Sequence, residues 1–312
     1  MDISGILNVD KPAAWTSFQV VSLVRRLTGI RRVGHAGTLD PFATGILLIC
    51  LGQATRLSEY LMEATKVYRA EVCLGIVTDT FDVTGAPMSE ADPSGVDRQQ
   101  VEEALAAFVG EIEQVPPMFS ALKHGGKPLY RYARARQQVE RAARRVTIHR
   151  LQLLSYQSPL VSIEVECGKG TYIRTLAHDL GQRLGCGAHL AALARLRVGP
   201  FTLEEACSVP ELEAALSEGR WPARGGLYPP DAALADWPAV TLGEQEEKAV
   251  GFGQALAADR LEVSPPQEVA DGQLCRAYSS NRRLLAILRY DATAGIWRAR
   301  KVFAPATGAQ QA

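Results

Sequence analysis

The sequence is short of the residues that build metal and disulfide sites. Its six cysteines, at positions 50, 73, 167, 186, 207 and 275, form no CxxC pair and no regular framework. That spacing argues against a zinc knuckle and a disulfide-rich scaffold, so free thiols in a reducing compartment are expected. The five histidines include no HExxH arrangement, which leaves metal catalysis without support. Long apolar runs are missing too. The stretch after Gly45 is far short of a bilayer span, and the opening "MDISGILNVDKP" has neither a basic leader nor an apolar segment of signal-peptide length. A cytoplasmic protein without membrane contact is expected. Net charge is also absent: 34 Lys and Arg stand against 34 Asp and Glu, so the overall balance does not call for a polyanionic partner. No internal repeat supports a solenoid.

What is present is an ordinary folding composition, with 47% apolar and 22% charged residues over 312 positions, enough for one large core and a smaller second domain. Charge is uneven along the chain. From Lys123 to Arg150 there are nine Lys or Arg and one acid, Glu140, interleaved with Tyr130 and Tyr132. Arg25, Arg26, Arg31 and Arg32 form a second basic group, while acids collect in "EADPSGVDRQQVEEAL" and "PELEAALSEG". Such a segment is either a face for a polyanion or a solvated helix face, and both readings stay open.

The run "TSFQVVSLVRRLTG" spaces Phe18, Val21, Val24 and Leu27 as a helix, with Thr16 or Ser17 as N-cap and Gly29 as stop. "VYRAEVCLGIVT" reads as a strand, "DTFDVTGAP" as a polar turn, and "DRQQVEEALAAFVG" as a helix. The stretch from Arg144 to Gly185 reads as strand, turn, strand, glycine turn and helix, and "RLRVGPF" as a further strand. This order predicts an α+β fold with a mixed sheet rather than a regular βαβ repeat. The Pro-, Gly- and Trp-rich stretch near Trp237 predicts a domain junction, followed by a small β-rich module and a frayed tail, "APATGAQQA".

A lone carboxylate draws attention within "RRVGHAGTLDPFATGILLICLGQATR". Asp40 lies between a Gly-rich run and the buried-strand pattern from Ile46 to Leu51, and Pro41 restricts its backbone. A turn cap and a functional acid are both open readings. Lys11 either solvates a strand end, meets a phosphate or supports the active-site backbone. His35 sits between glycines, suited to a local turn bond or to a phosphate or ribose. Tyr68 is an amphipathic packing residue or a platform for a nucleobase. Arg174, at the start of the helix after "CGKGTY", is a surface residue or a partner that keeps Asp40 ionised.

Seven segments in order, "GILNVDKPAAWTS", "VGHAGTLDPFATGILLICLGQATR", "KVYRAEVCLG", "TDTFDVTG", "PPMFSALKHGGKPLYRYAR", "CGKGTYIRTLAHDLG" and "GCGAHLAALARLRVG", resemble the bacterial tRNA pseudouridine-55 synthase family. The likeness covers most of residues 3 to 237. It implies a mainly antiparallel central sheet with flanking helices in a catalytic domain, 1–237. A basic insertion, 123–150, would clasp the T-arm of tRNA, and a PUA-like RNA-binding module would occupy 238–312. It implies Asp40 as catalytic acid, Tyr68 as stacking aromatic, Arg174 as ion-pair partner and Leu193 as the residue closing over the target uridine. Lys11 and His35 fall in the cleft, and Lys123, Lys127, Arg141, Arg144 and Arg145 become candidate RNA contacts. Thr38, Phe42, Ala14 and Trp15 depart from the Ala, Leu, Gly and Met frequent there, which reads as packing or cleft change. The implied isomerisation needs no redox change or group donor, so no cofactor is expected; a monomer without obligate protein partner is expected too. A non-catalytic tRNA-binding or tRNA-folding protein is the alternative, and an acid-dependent glycosidase a third reading.

Overall fold

The computed structural model describes residues 3–303 except 121, 136, 259, 260, 262 and 264–268. The expected frayed tail and Arg136 of the basic interval lie outside the described residues. The chain divides into two compact units between Tyr228 and Pro229, earlier than the junction expected near Trp237. Tyr228 exchanges two backbone hydrogen bonds of 2.9 Å with Ile6, which ties it to the first unit. The guanidinium of Arg276 donates to the carbonyls of Ala235 (2.9 Å) and Trp237 (2.7 Å), which ties the Trp-containing stretch to the second.

The first unit opens with β1 (Gly5–Lys11) and α1 (Ser17–Thr28). Thr16 caps α1 in a reciprocal box with Gln19, and Gly29 ends it at φ 69°, both as the sequence predicts. There follow β2 (Val33–His35), β3 (Thr44–Leu51), α2 (Ser58–Glu63), β4 (Lys66–Leu74), β5 (Ile76–Thr78), β6 (Pro87–Glu90), α3 (Arg98–Ala106) and β7 (Gly110–Gln114). A short hairpin, β8 (Lys123–His124) with β9 (Lys127–Pro128), leads into α4 (Leu129–Arg134). Then come β10 (Arg144–Gln157), β11 (Leu160–Cys167), α5 (Ile173–Arg183), β12 (Ala188–Val198), β13 (Phe201–Thr202), β14 (Cys207–Ser208) and α6 (Val209–Ser217).

The main sheet runs β14-β1-β3-β12-β4-β11-β10-β7. It is mainly antiparallel, with β1–β14 and β3–β12 parallel. One edge of β3 is paired by β1; the other is shared by β12 at Thr44 and Gly45 and by β2 at Ile49 to Leu51. The head of β3 is therefore surrounded by strands distant in sequence. One apolar cluster packs α3 and α5 on β4, β10, β11 and β12; a second packs α1 and α6 on β1 and β3.

Two expectations need correction. The strand read from "RLRVGPF" begins much earlier, at Ala188, because an Ala- and Leu-rich stretch is buried between β4 and β3 and takes its hydrogen bonds from them. The basic interval is not one insertion: Arg144 to Arg150 belong to β10, and Arg144 and Arg145 pair with Gln114 and Glu113 of β7. A solvated helix describes only Leu129–Arg134.

The second unit carries β15 (Ala239–Thr241), α7 (Glu244–Gly251), β16 (Leu256–Ala257), β17 (Leu274–Tyr278), β18 (Leu284–Asp291) and β19 (Ile296–Val302). They form a five-stranded sheet, β15-β17-β18-β19-β16, around Trp297, which is 1% exposed. This is the small β-rich module expected from the sequence.

Candidate active site

The loop before β3 is pinned at several points. The Ser17 hydroxyl accepts from the Leu39 amide (2.9 Å) and donates to the Leu39 carbonyl (3.1 Å). The Ala36 amide donates to the Leu48 carbonyl, and a turn closes from the Ala43 amide to the Asp40 carbonyl. Leu39 and Ala43 are buried, so Asp40 is the polar residue between two apolar anchors. Gly45 lies at φ 98°, and a Cβ there would stand 2.3 Å from the Arg195 carbonyl. Only glycine admits this approach of β3 to β12.

Lys11 lies beneath the loop. It is fully buried and its Nζ donates to the carbonyls of Pro12 (2.9 Å), Trp15 (2.7 Å) and Pro41 (3.3 Å). Of the roles open to it in the sequence, this geometry fits support of the backbone around the Asp40 loop and not an exposed contact. Desolvation pulls its pKa down to about 8, against the opposing pull of Asp40.

Arg174 reaches Asp40 from the first turn of α5, as the resemblance implies. Its Nε lies 2.9 Å from Asp40 Oδ2 and its Nη2 3.4 Å from Oδ1. The same guanidinium donates to the carbonyls of Thr80 (3.2 Å) and Phe119 (2.7 Å), and Nη1 lies 3.4 Å from Asp82 Oδ2. Desolvation raises the Asp40 pKa, opposed mainly by Arg174, with Asp82 adding to the rise and Lys11 opposing it. One side of Asp40 stays open: its side chain is 33% exposed, against 6% for Arg174.

Asp82 is the second carboxylate on Arg174, a neighbour of Asp40 that sequence reasoning missed. Its Oδ1 accepts from Thr80 Oγ1 (2.8 Å), from the Thr84 amide (2.9 Å) and from Thr84 Oγ1 (2.5 Å). A carboxylate with threonines two positions before and after reads as a self-satisfied turn. Its second oxygen, free of those bonds, is the one facing Arg174.

Tyr68 on β4 packs against the cluster that contains Leu39, Ala43 and Leu193. Burial pushes its hydroxyl pKa up, moderated by the charge of Arg195 and a hydrogen bond with it. Arg195, 2% exposed, was also missed; it donates to the carbonyls of Ile46 (2.7 Å) and Gly37 (3.2 Å), linking β12 to both ends of the Asp40 segment. His35 on β2 loses basicity through burial and the nearby Arg195, and its Nδ1 is buried without a hydrogen-bond partner. Leu193, 8% exposed, forms part of the same apolar wall. Lys11 and Arg195 meet Gly45 at the head of β3 and Tyr68 pairs with Arg195, so Asp40, Arg174, Lys11 and Tyr68 gather around that junction, with Leu193 two residues before Arg195 on β12; His35 pairs with Ile49 toward the other end of β3.

The candidate RNA-contacting cations are divided. Lys123 and Lys127 are exposed on the hairpin, and Arg144 and Arg145 are exposed at the start of β10. Arg144 acts electrostatically on Tyr172, which also senses Asp40 and Arg174. Arg141 instead donates to the Pro116 carbonyl at 2.9 Å, a bond internal to the fold. Among the described residues, no group of three His, Cys, Asp or Glu is arranged to hold a metal, and no helix is long and apolar enough to cross a membrane.

Comparison with known proteins gives the chain its family. A model described as TruB family pseudouridylate synthase (N terminal domain) matches residues 25–173, and one for the tRNA pseudouridylate synthase B C-terminal domain matches residues 174–234. The chain belongs to the TruB family. It is 46% identical over 287 residues to tRNA pseudouridine synthase B of Burkholderia pseudomallei (strain 668), covering 92% of this chain and 93% of that one. The protein of the same name from Symbiobacterium thermophilum is 49% identical over 259 residues, 82% of this chain and 84% of its own. A chain in a Cbf5-Nop10-Gar1 complex superposes with TM-score 0.75 and 27% identity over 97% of this chain and 85% of that one. A chain of an H/ACA RNP bound to a substrate RNA containing 2'-deoxyuridine gives 0.74 and 25%, covering 97% and 86%. Within this TruB fold the five-stranded second unit is the PUA-like module. Of the departures noted in the sequence, Ala14 takes a left-handed φ of 65°, the backbone that glycine favours, and its amide donates to the Pro41 carbonyl.

Proposed function

We propose that this chain converts uridine 55 in the T-arm loop of tRNA to pseudouridine, with Asp40 as catalytic carboxylate. The observation that carries the reading is the Asp40–Arg174 pair at the head of β3, 2.9 Å apart, with one side of the carboxylate open to a ligand. The isomerisation detaches uracil from C1′, turns it and rejoins it through C5, whose proton then leaves. Asp40 serves this as nucleophile at C1′ or C6, or as base at the 2′ carbon; all three need an ionised carboxylate, which Arg174 favours. Tyr68 and Leu193 supply a ring and an apolar wall against which a detached uracil is retained. Release of C5 tritium from labelled T-arm RNA, with pseudouridine in molar excess over protein, tests the reading. Binding without product would instead make the chain a non-catalytic tRNA-binding or tRNA-folding protein. The glycosidase reading lacks support because the neighbouring second acid, Asp82, is buried on Arg174 and bonded to Thr80 and Thr84.

Tyr68→Leu keeps bulk but removes the ring. Single-turnover product formation at saturating protein is expected to fall by roughly five- to 150-fold, with tRNA affinity changed little, since stacking on the one detached base is worth roughly 1–3 kcal/mol. Normal saturated turnover in this variant would remove Tyr68 from the reaction.

RNA contact is assigned to the exposed cations Lys123, Lys127, Arg144 and Arg145, with Arg141 reassigned to the Pro116 carbonyl. Replacing Arg144 and Arg145 together by Ala is expected to weaken tRNA binding and to lower the log–log salt slope by roughly 1.4 to 1.8. Titration at several salt concentrations checks this; an unchanged slope assigns both side chains to the β10 surface alone.

A further inference from the structure

We propose that His178 and Phe81 form a stacked pair that positions Arg174, and through it Asp40; this rests on the reading of Asp40 given above. The rings lie 3.9 Å apart between centroids at an interplanar angle of 12°. His178 follows Arg174 by one turn of α5, and helical side chains lean toward the N-terminus, so the imidazole lies over the turn that begins at Arg174. Phe81 stands between the two residues that grip the guanidinium from the other side, Thr80 through its carbonyl and Asp82 through its carboxylate. The stack and the guanidinium contacts therefore join the same helical turn to the same loop.

The backbone of Phe81 gives an independent reason to assign the ring a task. Its φ is 62°, a left-handed conformation that suits Gly or Asn and penalises a bulky side chain. The loop is held in that shape by bonds from the Phe81 amide to the Thr78 carbonyl (3.2 Å), from the Leu190 amide to the Phe81 carbonyl (3.0 Å), and from the Val83 amide to the Leu190 carbonyl (2.9 Å). A phenylalanine at such a position makes physical sense when its ring has a partner, and the partner is His178. The imidazole contributes its flat face: its Nδ1 is buried without a hydrogen-bond partner, and burial lowers its pKa, favouring the neutral ring. Strand β12 fixes the loop's backbone, while helix α5 holds its side chain. With the stack gone, Arg174 keeps its bonding partners but loses the restraint on where they stand.

The test uses His178→Ala, which removes one ring, Phe81→Asn, which removes the other while tolerating the left-handed backbone, and His178→Phe, which keeps a flat ring without imidazole chemistry. Single-turnover pseudouridine formation in His178→Ala and Phe81→Asn is expected to fall roughly ten- to a hundredfold, the scale of a small displacement of a reacting group, with tRNA affinity within about twofold of the parent. His178→Phe is expected to recover most of the rate. In the RNA-free protein, the 13Cγ titration of Asp40 should move upward in the two ring-deleted variants and return in His178→Phe, because a loosened Arg174 no longer holds the acid down. Unchanged rate and unchanged Asp40 titration in both ring-deleted variants overturn the proposal, and so does a His178→Phe variant no better than His178→Ala. A parent protein that binds tRNA but forms no pseudouridine would sink the functional reading, while the Asp40 titration still decides whether the stack positions Arg174.

Discussion

Asp40→Asn is expected to give a folded protein that binds tRNA and forms no measurable pseudouridine. The carboxamide keeps the shape of the side chain and one oxygen to accept from Arg174, so the loop held by Ser17, Lys11 and the Ala43 turn has no reason to move. What disappears is the charge that acts as nucleophile or base, and removal of such a group costs roughly 10²–10⁴-fold or more. Stability should change in the opposite direction. Burial raises the Asp40 pKa in the folded state, so ionising it opposes folding. This opposition is absent below the ordinary aspartate pKa, where the acid is protonated whether folded or not, and complete above the raised folded value. Asp40→Asn should therefore melt slightly higher than the parent at neutral pH, with the difference vanishing as pH falls below the ordinary value. The effect is small because a third of the side chain is in solvent. By the same sign, the parent's single-turnover rate should fall with acid at a pH above the ordinary aspartate range. Thermal melts across pH and C5 tritium release check both; full turnover by folded Asp40→Asn would defeat the assignment.

Arg174 should matter to stability as well as to turnover. Arg174→Leu leaves Asp82, whose side chain is 5% exposed, facing an apolar group, and strips a donor from the carbonyls of Thr80 and Phe119. Removing one partner of a buried pair costs about 3–5 kcal/mol, and urea denaturation at neutral pH should read a loss of that size. Most of it comes from the Asp82 side, because Asp40 is partly screened by water. Arg174→Lys keeps the charge, but an ammonium cannot reproduce a planar fork that meets two carboxylates and two carbonyls. A smaller loss of stability is expected, with a fall of about a hundredfold in single-turnover rate from misplacement of Asp40. A parent-like rate in Arg174→Lys would show that the oriented pair is not required.

Several features of the fold are legible without coordinates because their causes are local. The Thr16 and Gly29 signals bound α1 through groups within one helical turn, and the alternation from Arg144 to Cys167 marks two strands by side-chain period. Asp40 is conspicuous because glycines and a proline surround a single acid ahead of an apolar run. Arg174 is placed at a helix start by the glycine turn before it. The residues themselves leave its role open between surface and site, and the family resemblance supplies the partner.

Other features depend on which strands become neighbours. The stretch Ala188 to Arg195, read locally, has the composition of a helix, yet it becomes a central strand because the open edges of β3 and β4 satisfy its backbone there. Asp82 looks complete within its own turn, and only the docking of that turn on Leu190 brings its second oxygen to Arg174. Lys11 stays open between a solvated strand end, a phosphate contact and backbone support until the Asp40 loop folds over it and completes a set of three carbonyls. Arg141 reads as one more cation of a basic face until Pro116 takes it up. The sequence by itself determined the ends of α1, the strand pair β10 and β11 and the lone acid, since these follow from period and turn chemistry within a few residues. The tertiary structure decided which charges are buried and which partner each one has, because desolvation and ion pairing depend on groups brought together from distant parts of the chain.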